Sequence, residues 1–130
     1  MSTPTVLFLC QHNAGRSQLG AALLEILAPG EFTVASAGTT PAESVHPAVA
    51  ATIAELGLDI SDRIPRAVTP EDLAAADIVI AMKPGLTLPS APAGRFLEWS
   101  FPDPTAWAPD NVRPLREAVT NRLREEILTP

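Results

Sequence analysis

The sequence predicts an α/β fold with a four-stranded parallel sheet in the order 2-1-3-4 and helices on both faces. Short apolar segments alternate with segments of helical periodicity, which is typical of a parallel sheet covered on both sides. The first apolar segment, 6–9, runs directly into a glycine-containing loop and then a helix. Right-handed crossovers give four such strands a doubly wound, flavodoxin-like order.

The first half of the chain predicts two strand–helix pairs. After the strand over 6–9, apolar residues recur at helical spacing over 16–28. A second strand is predicted over 32–36, and helical spacing returns over 46–56. His46 stands at the start of that helix, where we expect a surface or capping histidine rather than a metal ligand.

The next region predicts a short helix between two further strands. The segment 58–68 is irregular, and Thr69 followed by a proline and two acids predicts a helix that reaches Ala76. The β-branched segment 77–82 predicts a buried third strand. A stiff, proline-rich loop over 83–94 leads to a fourth strand over 95–100.

Asp110 is the predicted cap of a final helix with one apolar stripe. No repeat or linker interrupts the 130 residues, so we expect one domain over 1–130. The two histidines and one cysteine lack the spacing of metal ligands, so no metal or bound cofactor is expected.

Charge and cysteine content restrict the class of partner. The net charge is −6, Lys83 is the only lysine, and no basic stripe is present, so neither nucleic acid nor an anionic membrane is an expected partner. A single cysteine excludes an internal disulfide. No secretory or transmembrane segment is evident, and we expect a cytoplasmic, reducing location.

The segment after the first strand predicts a nucleophile inside an oxyanion-binding loop. It has the form Cys-x5-Arg-Ser and contains Cys10, Gln11, His12, Asn13, Ala14, Gly15, Arg16 and Ser17. Loop and helix N–H groups that converge there favour negative charge, and a thiolate held among them is stabilised. Arg16 can grip two oxygens of a tetrahedral anion. The alternative is a buried structural cysteine at a strand end.

Asp103 is the second candidate catalytic residue. It follows the last predicted strand between Pro102 and Pro104, and the carboxyl ends of parallel strands meet at one sheet edge. An acid held there can protonate a leaving oxygen; the alternative is a simple turn aspartate. His12 is expected to point away from the nucleophile. Trp99 and Trp107 are expected in the core or in a lid.

Four motifs carry a family resemblance: Cys10-Gln11-His12-Asn13-Ala14-Gly15-Arg16-Ser17-Gln18, Ser36-Ala37-Gly38-Thr39, Gly57-Leu58-Asp59-Ile60-Ser61 and Phe101-Pro102-Asp103-Pro104. Together they resemble the low-molecular-weight protein tyrosine phosphatase superfamily, and within it the arsenate reductase branch. The resemblance implies that Cys10 attacks arsenate while Arg16 and the loop amides bind it. It also implies that Ser17 assists the thiolate, that Asp103 is the general acid and that Asn13 holds the loop shape.

One departure from that branch concerns the reductant. The thioredoxin-coupled reductases carry two further cysteines, where this chain has Met82 and a cysteine-free 83–94. The resemblance is therefore greatest to the mycothiol-dependent reductases, in which mycothiol is a co-substrate and mycoredoxin reduces the arseno–mycothiol adduct. Glutathione or another small thiol stays open.

Two alternatives remain at the level of the sequence. The first is a phosphatase that hydrolyses phosphate monoesters through a Cys10 phosphoenzyme. Such an enzyme needs aromatic walls for a phenyl ring, and Asp103 is followed by Pro-Thr-Ala in a chain without tyrosine. The crevice is therefore expected to fit a small inorganic anion. The second alternative is a non-catalytic oxyanion-binding module, which the intact set of Cys10, Arg16, Ser17 and Asp103 disfavours.

Overall fold

Four parallel strands form the sheet. The computed structural model describes residues 3–128, and the ends of the predicted 1–130 domain lie outside the described residues. The strands are β1 (Thr5–Cys10), β2 (Thr33–Gly38), β3 (Ile78–Ala81) and β4 (Arg95–Glu98). They pair in parallel in the order β2-β1-β3-β4. The predicted sheet and its strand order are confirmed.

Helices cover both faces of this sheet, as predicted. They are α1 (Arg16–Leu27), α2 (Pro47–Ala54), α3 (Pro70–Ala75) and α4 (Pro109–Glu126). The first, second and fourth pack on one face, and the short third helix packs on the other. Within residues 3–128, no helix combines the length and apolar character needed to cross a membrane.

The central strand is apolar on both sides because both of its faces are covered. Val6 and Phe8 point into the larger cluster with α1, α2 and α4, while Leu7 and Leu9 point into the cluster with α3. Cys10 ends the same strand on the face of Val6 and Phe8, and it belongs to the larger cluster. The strand alternation therefore fixes the side of the sheet on which the cysteine emerges.

Two predicted helix starts are confirmed by their hydrogen bonds. Thr69 Oγ1 accepts from the Asp72 amide at 3.2 Å, and the Asp72 carboxylate accepts from the Thr69 amide at 2.9 Å. This reciprocal pair is a capping box. His46 precedes α2, and its Nδ1 accepts from the Ala48 amide at 3.2 Å. The capping role predicted for His46 is therefore confirmed.

The prediction that Asp110 caps the last helix is wrong. The N-cap is Ala108, because Pro109 already has the backbone angle of a first helical residue. Asp110 lies in the first turn, where it stabilises the positive helix end and pairs with Arg113.

Several predicted bounds also shift. The second strand runs over Thr33–Gly38 rather than 32–36, because β1 continues to pair with it as far as Cys10 and Gly38. The fourth strand stops at Glu98, opposite the end of β3 at Ala81. The helix predicted over 46–56 ends at Ala54 and continues as a turn.

Glu55 connects α2 to α4. Its carboxylate accepts from Arg113 Nε at 3.0 Å and from Arg116 Nη1 at 2.8 Å. The hydrogen bonds from Arg113 and Arg116 lower the pKa of Glu55 from 4.5 to about 2. A group whose pKa is lower in the folded state stabilises the fold above its unfolded pKa, and this stabilisation is lost as the pH falls through the folded pKa.

We predict that Glu55→Gln destabilises the protein at pH 7 and removes part of its acid sensitivity. The difference in urea midpoint between wild type and variant should reach its full size above about pH 5 and shrink toward pH 2. Protonation of Glu55 at low pH removes from the wild type the same charge that the substitution removes. The measurement is urea unfolding at several pH values. Glu31→Gln is the control, since Glu31 is exposed and has no ion pair among the described residues. A difference that does not change with pH would contradict the assignment.

Candidate active site

The Cys-x5-Arg-Ser loop joins the carboxyl end of β1 to the start of α1. Cys10 is the last residue of the strand and Arg16 the first residue of the helix. A cavity opens over the loop and is lined by Cys10, Gln11, His12, Ala14, Gly15, Arg16, His46, Lys83 and Trp107. Asn13 and Ser17 are buried beneath it. The structure therefore brings every residue of the predicted oxyanion loop to one site.

A second segment, 39–46, holds the carbonyl groups of this loop. The amides of Thr39 and Thr40 donate to the carbonyls of Cys10 (3.3 Å) and Gln11 (2.8 Å). The next two loop carbonyls, of residues 12 and 14, accept from the amides of residues 42 and 46, each at 2.9 Å. Four loop carbonyls are thus engaged by this neighbouring segment.

The amide groups of the loop stay available. Within residues 3–128, the N–H groups of residues 11, 12, 14, 15 and 16 donate to no acceptor. They lie at the N-terminus of α1, where the helix dipole adds partial positive charge. Unpaired N–H groups around a cavity floor form a cradle for an oxyanion.

Asn13 sets the loop conformation. Its backbone has a φ of 52°, in the left-handed region that asparagine tolerates better than most residues. The buried side chain donates from Nδ2 to Ser17 Oγ at 2.8 Å and accepts at Oδ1 from the Arg66 amide at 3.1 Å. One amide thus ties the loop to α1 and to the segment that follows α2.

This network directs the hydroxyl of Ser17 at the cysteine. The Asn13 Nδ2 group can only donate, so Ser17 Oγ accepts from it and keeps its own hydrogen for Cys10 Sγ, which is 2.8 Å away. The Asn13 amide also lies 3.3 Å from the sulfur as a second donor. Two donors aimed at one sulfur support negative charge on it.

Arg16 and Asp103 meet although they come from distant parts of the chain. The guanidinium forms an ion pair with the Asp103 carboxylate, whose side chain is 75% exposed while that of Arg16 is 17% exposed. Arg16 and Lys83 also line a second cavity that includes Asp103. The common sheet edge predicted for Cys10 and Asp103 is therefore observed.

The aromatic residues correct one expectation. His12 Nδ1 donates to the Thr40 carbonyl at 3.1 Å, and no hydrogen bond joins His12 to Cys10 among the described residues. Trp99 is buried in the core. Trp107 instead lines the cavity beside Cys10, so the expectation of a crevice without an aromatic wall is wrong. Trp107 is four residues after Asp103 in the sequence, and the chain bends after Pro104 so that the Trp107 ring packs against Gly15 of the loop.

The sequence reasoning did not identify residues 39–46 as part of the site. Gly38, which precedes them, is the residue of the sequence that could have indicated this contact. A Cβ atom there would lie 2.7 Å from the Gln11 carbonyl oxygen and 2.9 Å from the Asn13 nitrogen. Only glycine lets β2 and the loop approach this closely. Among residues 3–128, no three His, Cys, Asp or Glu side chains group as metal ligands.

Residues 5–88 match the sequence model of the low molecular weight phosphotyrosine protein phosphatase family. The chain belongs to this family. An arsenate reductase of Bacillus licheniformis is 30% identical to it over 98% of this chain and 91% of that protein. Family members that are similar to this chain thus include arsenate reductases.

Solved structures of the family share the fold. A thioredoxin-dependent arsenate reductase of Corynebacterium glutamicum is 37% identical with a TM-score of 0.81, over 95% of this chain. This chain spans 59% of that longer chain. An arsenate reductase in a phosphate-binding state is 28% identical with a TM-score of 0.84, over 97% of this chain and 98% of that one.

We predict that Gly38→Ala weakens binding of an unreactive oxyanion. The added methyl group must push the loop backbone, and overpacking of this kind costs about 1–3 kcal/mol of stability. Calorimetric titration with sulfate measures the affinity. Ser36→Ala, on the same strand, is the matched control and should bind like wild type. Unchanged sulfate affinity in Gly38→Ala would show that the close approach does not shape the cradle.

Proposed function

We propose that this protein is an arsenate reductase in which the Cys10 thiolate attacks arsenate held in the amide cradle. The observation that carries the proposal is the arrangement around the sulfur, with two donors on Cys10 and free amides around the cavity above it. Arsenate reductases among the similar proteins support the choice of arsenate over other oxyanions.

The first step forms a bond between sulfur and arsenic. The loop amides and Arg16 hold the arsenate oxygens, and Cys10 Sγ attacks the arsenic. One As–O bond breaks, and the leaving oxygen departs as water after it receives a proton. Arsenic keeps its oxidation state of five in this step.

Asp103 is the proposed donor of that proton. Asp103 forms an ion pair with Arg16 and lines the second cavity. Arg16 lines both this cavity and the one over Cys10. When arsenate engages Arg16, the carboxyl group stands beside an oxygen of the anion. Its exposure lets it exchange protons with solvent between turnovers.

The reduction itself needs thiols from outside these 130 residues, because Cys10 is their only cysteine. We propose that a small thiol attacks the arsenic, forms a new S–As bond and releases Cys10. A second thiol then attacks the sulfur of that adduct. A disulfide forms, and the electron pair of the broken S–As bond reduces arsenic from five to three. Mycothiol as the first thiol and mycoredoxin as the second fit this order of steps, in a reducing cytoplasm.

Thioredoxin is the competing reductant, since the Corynebacterium glutamicum relative is named for it. Thioredoxin reduces disulfides by thiol exchange. A chain with Cys10 alone cannot form an intramolecular disulfide for it to reduce. The presence of a single cysteine in these 130 residues favours the small thiol.

A phosphatase is the second candidate, and one observation favours it. Trp107 lines the cavity beside Cys10 and gives it an aromatic wall. With a phosphate monoester, the same attack would break the P–O bond to the alcohol, which leaves after it receives a proton, and would form a phosphocysteine; water would then break the S–P bond and release phosphate.

We predict that arsenite forms with mycothiol plus mycoredoxin, or with glutathione plus glutaredoxin, and not with thioredoxin and its reductase alone. Cys10→Ser should abolish turnover in every case, since serine is a far weaker nucleophile at neutral pH. Arsenite production measures both effects.

Robust turnover with thioredoxin alone would contradict the proposed route. Hydrolysis of para-nitrophenyl phosphate, without arsenite from any thiol, would place the activity with the phosphatases. Arsenite formation by Cys10→Ser at more than a few per cent of wild type would exclude the covalent mechanism. Circular dichroism of the variant serves as the folding control.

We predict that Asp103→Asn slows adduct formation by about 10²–10⁴, the usual contribution of a positioned acid. Sulfate affinity should be kept or rise, because the substitution removes a carboxylate that competes for Arg16. Rapid-quench assays of adduct formation and sulfate titration separate the two effects. Asp62→Asn, at an exposed aspartate of the irregular segment, is the control. Equal losses of rate and of affinity would identify Asp103 as a structural turn residue.

A further inference from the structure

Trp107 is built into the wall of the Cys10 cavity. Its ring packs closely against the loop, since a Cβ atom added at Gly15 would lie 3.2 Å from the indole. The Arg16 guanidinium carbon stands 5.9 Å from the ring centroid, within the range of a cation–π contact. The residue is still 37% exposed. An indole held by the loop on one side thus leaves part of its surface to the cavity.

His46 extends this wall. Its ring centroid lies 5.5 Å from that of Trp107, with an angle of 43° between the planes. Because Nδ1 accepts from the Ala48 amide, the neutral ring carries its hydrogen on Nε2. His46 therefore adds a hydrogen-bond donor to an apolar aromatic surface.

The side chains with a fixed charge in the cavity lining are positive, and the Asp103 carboxylate that pairs with Arg16 lies outside this lining. The lining contains Arg16 and Lys83 and no carboxylate. Lys83 makes no ion pair within the part of the chain that the structure describes. In the function proposed above, the loop amides and Arg16 hold the arsenate ion, so two aromatic rings and a further cation go beyond what the inorganic anion requires.

We propose that Trp107 and His46 form the binding site for the organic part of the small thiol, a proposal that rests on the function proposed above. A sugar ring or a short peptide packs well against an indole, and its hydroxyl or carbonyl groups can accept from His46 Nε2. Lys83 favours the ionised sulfur of the incoming thiol.

The bound thiol would complete the transfer step. Its sulfur forms a bond to arsenic as the bond between Cys10 and arsenic breaks. Arsenic keeps its oxidation state, and Cys10 leaves as a thiolate that accepts the Ser17 hydrogen bond. The wall thus orients the second substrate toward the atom that the loop presents.

The test compares a large thiol with a minimal one. Trp107→Ala should lower kcat/KM for mycothiol by about tenfold, the upper range of an aromatic contact. It should change kcat/KM for 2-mercaptoethanol less than twofold, because that thiol has no group that reaches the indole. Trp107→Phe should restore most of the loss. Glutathione, in parallel, distinguishes a peptide from a sugar as the favoured organic part.

Equal losses with both thiols would overturn the inference and show that Trp107 acts only through Arg16. A direct titration provides a second readout that does not depend on turnover. S-methylmycothiol and S-methylglutathione should bind wild type and bind Trp107→Ala about tenfold more weakly. Phe96→Ala, at an exposed aromatic of β4, is the control.

The two proposals fail in different ways. If wild type forms no arsenite with any thiol, the proposed function is wrong, and the titration alone decides whether Trp107 binds these compounds. If arsenite forms while Trp107→Ala matches wild type in both assays, only the thiol site is wrong.

Discussion

Hydrogen bonds between two loops are the interaction on which the site depends. Four amides of the segment 39–46 bind the carbonyl of Cys10 and three carbonyls of the loop after β1, and the amides of loop residues 11, 12, 14 and 15 stay unpaired around the cavity. A loop of five residues cannot achieve this alone, because its peptide groups could as readily turn their carbonyls toward an anion. The cradle is therefore a tertiary feature, built where β1 and β2 end side by side and Gly38 allows their closest approach.

Asn13 performs the complementary task inside the loop. Its left-handed backbone costs energy that buried hydrogen bonds to Ser17 and the Arg66 amide offset. The same side chain fixes which group donates to Ser17, and so leaves the serine hydrogen for Cys10. Loop shape and nucleophile activation thus rest on one amide. A residue that only satisfied the backbone angle, such as glycine, would lose the second role.

Sequence reasoning succeeded where periodicity and strand order decide the outcome. Buried alternation in β1 and parallel pairing bring Cys10 and Asp103 to one sheet edge, and a Thr69–Asp72 capping box forms from local contacts. It failed where a side chain's partner lies far along the chain. The position of Trp107 depends on how the segment after Pro104 folds back onto Gly15, and no local pattern encodes that. Asp110 failed for a local reason, since Pro109 begins the helix earlier.

The distribution of charge explains how a chain of net charge −6 can bind an anion. Arginines remote from the cavity are paired with carboxylates, as Arg63 is with Glu25 and Arg113 with Glu55. Arg16 and Lys83 line the cavity, and Asp103, the carboxylate paired with Arg16, lies outside that lining. Repulsion from distant acids is screened over about 8–10 Å at physiological salt, whereas amides and Arg16 act at contact distance. Local preorganisation therefore outweighs the overall field, and an anion gains its affinity only once it occupies the cradle.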